Sequence, residues 1–169
     1  MAQRSFEAYK LWKDAQLKYD YYIIGLIAAI FTYSISKYSP QKIAFSDNSF
    51  ELLAIMFLFV SLYLGIKRLE IDLAIQSISL KQTEVKELLR EARKIQIAGG
   101  SHDLDNGGII TSEDAQKKID ECSSIMPRLE TEFSQKSKLS SAYFTYRNKF
   151  MIAGFSVLVL AKCIGVYSI

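Results

Sequence analysis

Three apolar blocks, set apart by polar sequence, constrain this chain more than any other feature. Residues 21–36 form a run of 16 without a charge, residues 52–66 a run of 15, and residues 150–169 a run of 20 interrupted once, at Lys162. A helix needs roughly 20 residues to cross hydrocarbon. Aromatic flanks lengthen each block with rings suited to the headgroup layer: Tyr19 and Tyr38 at the first, Phe50 and Tyr63 at the second, Tyr143, Tyr146 and Tyr167 at the third. Half of the 169 residues are hydrophobic. A soluble bundle of this length would have too little polar helix to cover three such blocks. The sequence therefore reads as an all-α integral membrane protein with three transmembrane helices at 21–38, 50–66 and 150–169.

Basic residues set the orientation, because cytoplasmic loops retain Lys and Arg. Arg4, Lys10, Lys13 and Lys18 precede the first block, Lys67 and Arg68 follow the second, and Arg147 and Lys149 precede the third; the connection at 39–49 carries only Lys42. Residues 1–20, an amphipathic entry helix, and the 67–149 region are expected in the cytoplasm. The short 39–49 loop and the C-terminus are expected outside, across a membrane that reads as a bacterial inner (plasma) membrane. Lys67, Arg68, Arg147 and Lys149 are the membrane-proximal basic residues of that arrangement. A cleavable signal is disfavoured, since Glu7, Asp14 and Asp20 dilute its positive leader.

Residues 67–98 contain neither Gly nor Pro, so the second span should continue as one helix. Ile71, Ile78, Val85 and Ala92 recur by sevens, with Ala74, Leu88 and Ile95 at partner positions and Lys81 as the exception. A Gly-rich tip at 99–110 breaks the pattern, and Thr111 or Ser112 then caps a return helix with Glu113 and Asp114 in its first turn. Ala115, Ile119, Cys122, Met126, Leu129 and Phe133 alternate by four and three along that helix. Pro127 should kink it without ending it. The reading is a long antiparallel, coiled-coil-like hairpin continuous with the second and third spans. Apolar Ile75, Leu89, Ile97 and Ile125, off the main seams, are available to a second copy or a cytoplasmic partner.

Chemistry-bearing motifs are sparse. There is one His and there are two Cys on separate segments, with no metal-ligand spacing, phosphate loop or nucleophile elbow, so neither an enzyme nor a cofactor is expected. A net charge of +3 is too small and scattered for nucleic acid. Asp103, Asp105 and Asp114 partly match a calcium loop, but Gly107 removes one ligand and Asp114 is short for the bidentate position, so a solvated turn is the favoured reading. Lys81 with Ser79 on one helix, and Lys136, Ser137 and Lys138 at matching height on the other, form a polar belt that would suit a vestibule or an anionic ligand, although a solvated face explains it too. Lys162, inside a span, would snorkel to the outer interface or ring a pore mouth. Small residues four apart, Gly25 and Ala29, Ser61 and Gly65, Ala161 and Gly165, would let span helices approach closely.

The layout over about the first hundred residues, an entry helix, two spans and a long cytoplasmic helix, resembles small bacterial membrane effectors of the SLATT type. That resemblance implies a pore acting in nucleotide-triggered immunity. It designates no functional residue, and the third span departs from the two-span plan. The function expected is a non-enzymatic, self-assembling membrane protein that forms an oligomeric pore or channel. The alternative is a membrane-anchored scaffold whose hairpin recruits a cytoplasmic partner.

Overall fold

The computed structural model describes the backbone of residues 2–39, 47–99, 101–102 and 109–167, and the side chains of residues 11, 14–39, 48–99 and 111–164. Asp103 and Asp105, and the middle of the 39–49 connection, lie outside the described residues. The fold is all-helical. Three helices, α1 (Ala2–Lys37), α2 (Asp47–Ala98) and α3 (Ser112–Tyr167), account for nearly all of it. Between α2 and α3, β1 (Ser101–His102) pairs antiparallel with β2 (Ile109–Ile110), Ser101 opposite Ile110 and His102 opposite Ile109.

Residues 1–20 and the first apolar block are not separate elements: α1 runs through both, because no Gly or Pro interrupts residues 2–24. Helix α2 stops at Ala98, where Gly99 adopts φ +76°, a conformation that glycine reaches without the Cβ penalty, and its N–H bonds the carbonyl of Gln96. Helix α3 is capped reciprocally. The Asp114 amide donates to the Thr111 hydroxyl at 3.2 Å, while the Asp114 carboxylate accepts from that hydroxyl at 2.7 Å and from the Thr111 amide at 3.3 Å. Helix α3 passes through Pro127 unbroken, and the Thr131 hydroxyl donates to the Pro127 carbonyl at 2.8 Å.

Contacts divide the chain into two units, Met1–Leu69 with Ser141–Ile169, and Glu70–Ser140. In the second, Ala92, Ala115, Cys122 and Leu129 are buried, and Ile71, Ala74, Ile78, Val85, Ile95, Ile119, Met126 and Phe133 are half-buried. Two side-chain bonds link the antiparallel helices, Ser140 to Asp72 at 2.6 Å and Gln96 to Gln116 at 2.5 Å. Leu88 departs from its expected seam position and is 45% exposed. A straight helix drifts about 20° per seven residues, so a sevenfold spacing slides off the contact line over several turns.

In the first unit the small residues Ala54, Ser61, Gly65, Gly154 and Ala161 are buried beside Ile27, Ile55 and Leu58. Large apolar side chains face out: Tyr22, Leu26, Met56, Phe59, Tyr63, Ile152, Val159 and Leu160. Among the described residues, one helix, Asn48–Ala98, is long and apolar enough to cross a membrane; its richest 18-residue window has mean hydropathy 2.1 and is only 28% buried. A soluble core helix of that hydropathy would be mostly covered.

Candidate functional site

Among the described residues, the first unit buries a three-residue charge cluster. Asp20 lies immediately before the first apolar block, Arg68 two residues after the second, and Arg147 three residues before the third. Their helices bring them together. Asp20 Oδ1 accepts from Arg68 Nη1 at 2.7 Å and from Arg147 Nη1 at 2.8 Å, and all three residues are buried. Arg147 also donates from Nε and Nη2 to Asn148 Oδ1, both at 3.1 Å. The Phe144 ring serves both guanidiniums, with Arg68 Cζ 4.4 Å and Arg147 Cζ 5.1 Å from its centroid.

Packing around Arg147 is close. The Ser61 hydroxyl donates to its main-chain carbonyl at 2.9 Å, and a Cβ on Gly65 would stand 3.3 Å from its Cδ and 2.9 Å from Ile24 Cγ1. Gly65 thus opens the space that lets the guanidinium stem cross between helices. On Gly154, a Cβ would stand 3.0 Å from Leu58 Cγ, so a second glycine brings α3 against α2. The cluster holds two positive charges and one negative in a low-dielectric place, tolerable because each guanidinium is hydrogen-bonded and stacked on Phe144.

A second charged layer closes the other end of the same three helices. Lys162 of α3 pairs with Glu51 of α2, and Lys37 ends α1 beside them. Along each helix the two layers are 17, 17 and 15 residues apart (20 to 37, 51 to 68, 147 to 162), or about 22–26 Å.

The expected site residues fall as follows. Arg68 and Arg147 are buried, with Asp20 supplying a countercharge inside the unit. Lys67 is half-buried, and Lys149 is exposed with Nζ 5.9 Å from the Tyr146 ring centroid. Lys162 is paired with Glu51 while its side chain stays 69% exposed. Ser61, Gly65 and Ala161 are buried in helix contacts, whereas Gly25 and Ala29 face outward, with no atom within 4 Å of a Cβ built on Gly25; the surroundings of Gly165 lie outside the described residues. In the second unit Lys81, Lys136 and Lys138 are exposed and Ser79 and Ser137 half-buried. Asp114 is engaged as the α3 cap, and among the described residues no three His, Cys, Asp or Glu side chains gather as around a metal ion.

Sequence reasoning passed over Asp20, counting it only against a signal peptide. The available signal was positional: one acid and two arginines, rather than lysines, stand at the same end of all three apolar blocks. Compared with protein-family models, curated proteins and solved structures, the chain matches none.

Proposed function

We propose that the chain is a non-enzymatic membrane protein with three spans, which assembles through α1 into an oligomeric pore, its second unit in the cytoplasm. The outward-facing large apolar side chains of the first unit support lipid as its solvent. So does the spacing of the two charged layers: about 22–26 Å of helix, charged in between only at Lys67 and Lys149 beside the Asp20 layer, suits a hydrocarbon core of roughly 30 Å.

The observation that carries assembly is the outer face of α1. Gly25, Ala29, Thr32 and Ser36 are spaced by four, three and four and are all exposed, which places them within a sector of about 60°. Small residues on a lipid-facing surface leave a shallow groove that acyl chains fill poorly and a neighbouring helix fills well. In a ring of copies this face also brings the Thr32 and Ser36 hydroxyls toward the axis, a weakly polar lining. Ser61 is excluded from the lining by its bond to the Arg147 carbonyl.

The test is the absolute mass of the protein in nanodiscs, corrected for bound lipid, followed by ion flux from liposomes. A closed ring of four or more copies that passes ions is expected. A stable monomer overturns the reading.

A second reading, the membrane-anchored adaptor, is supported by Leu73 and Leu80, two turns apart on α2 and 58% and 65% exposed. Replacing both with Gln would abolish capture of a cytoplasmic partner under that reading and leave flux intact under the first.

A further inference from the structure

The Lys162 layer borders a small cleft of about 70 Å³, room for part of a chain rather than for a whole small molecule. Each helix gives its floor one apolar side chain, Ile30, Ile55 and Leu158, and its rim carries Lys37, Glu51 and Lys162. The floor offers nothing to a polar group. The rim holds one positive charge more than it needs: Glu51 neutralises Lys162, and Lys37 adds a second ammonium.

These two halves define an occupant with an apolar tail and an anionic head. A soluble anion would leave the floor uncovered, and a zwitterionic lipid would bring its own cation to a rim that already carries excess positive charge. Lys162 is held in place by Glu51, and its ammonium has three N–H donors, of which the carboxylate oxygen uses one. Tyr33 and Ser34, which also line the cavity, add hydroxyl groups on the α1 side.

We infer that this cleft binds one anionic phospholipid, its phosphate between Lys37 and Lys162 and an acyl chain on Ile30, Ile55 and Leu158. Two ammonium groups hold a phosphate by charge-assisted hydrogen bonds, while the apolar floor covers part of the chain. The inference rests on the membrane-spanning reading proposed above. It does not depend on assembly into a pore.

The experiment is native mass spectrometry of the detergent-solubilised full chain, titrated with phosphatidylglycerol, with phosphatidylcholine of the same chains, and with inorganic phosphate. One phosphatidylglycerol should be retained preferentially. Lys37→Gln keeps the Lys162–Glu51 pair and alters an exposed side chain; it should weaken phosphatidylglycerol retention about fivefold, the effect of one lysine at a lipid headgroup. Leu158→Trp should fill the floor and weaken retention with every charge in place. Equal retention of the two lipids, or no change on Lys37→Gln, overturns the proposal, as does displacement of the lipid by inorganic phosphate at equal concentration. Alkaline carbonate extraction separates the two levels: a chain that stays in vesicles but shows no lipid preference sinks this site alone, and a chain that is released sinks the membrane reading as well.

Discussion

Asp20 and Arg147, 127 positions apart in sequence, meet at 2.8 Å with side chains only 2% and 0% exposed. The same carboxylate oxygen receives Arg68, so one atom joins all three helices of the first unit.

Removing that carboxylate takes away the countercharge that the two buried guanidiniums share. Asp20→Asn should lower stability by about 3–5 kcal/mol, measured as thermal or denaturant unfolding in detergent. Replacing the whole group, Asp20→Leu with Arg68→Met and Arg147→Met, should recover most of the loss, since an apolar cluster carries no desolvation cost. A single mutant as stable as wild type would show that the cluster is not closed in the folded protein.

The two exposed and buried glycine environments predict opposite readouts. Gly65→Val forces its side chain against Ile24 and Arg147 and should destabilise the fold by about 1–3 kcal/mol. Gly25→Val meets no atom within 4 Å; it should leave the unfolding transition unchanged and reduce the oligomer mass in nanodiscs. Retention of the full mass by Gly25→Val argues against α1 as the assembly face.

Orientation is testable with single cysteines in a background lacking Cys122 and Cys163. Ser39→Cys and Glu113→Cys both alter exposed positions. In intact cells a membrane-impermeant maleimide should label Ser39→Cys, and Glu113→Cys only after permeabilisation. The reverse pattern inverts the topology, and labelling of both from one side removes the span between them.

Hydrogen bonds from the Thr111 hydroxyl and then its amide, with a smaller contribution from Lys117, hold the Asp114 carboxyl below its usual range, against a slight opposing effect of burial. Folding therefore favours the carboxylate. Its contribution is complete above the ordinary carboxylate pKa, near 4, and is lost as pH falls through the lower folded value. Amide hydrogen exchange in the first turn of α3 should accelerate below about pH 4 relative to the rest of the helix. Thr111→Val should show the same fraying at neutral pH.

Local features of this chain were legible before any coordinates. The end of α2 follows from Gly99, the start of α3 from Thr111 and Asp114, and the buried positions Ala92, Ala115, Cys122 and Leu129 from helical spacing, because each depends on residues within a turn or two. The Asp20 cluster depends on no such spacing. Its members are 48 and 127 residues apart, and a charge count that decides orientation treats arginines as interchangeable and ignores what lies opposite them. The pairing of Lys162 with Glu51 escaped the sequence for a related reason: the partner stands on a different helix, 111 residues away. Which small-residue pairs are covered also escaped the sequence, since Gly25–Ala29 and Ser61–Gly65 share a spacing and differ only in the neighbours that the tertiary fold supplies.

The shared oxygen of Asp20 also imposes an order in time. The acid is made first and both arginines later, Arg147 after a further 127 residues, or about 6–25 s at usual synthesis rates of 5–20 residues per second. Until Arg68 follows, 48 residues after Asp20, α1 carries its carboxylate without either partner, and until Arg147 follows it has only one. The last helix to emerge is the one that closes the cluster, so a chain truncated before Arg147 carries an acid with half its counterions missing, a recognisable mark of an unfinished product.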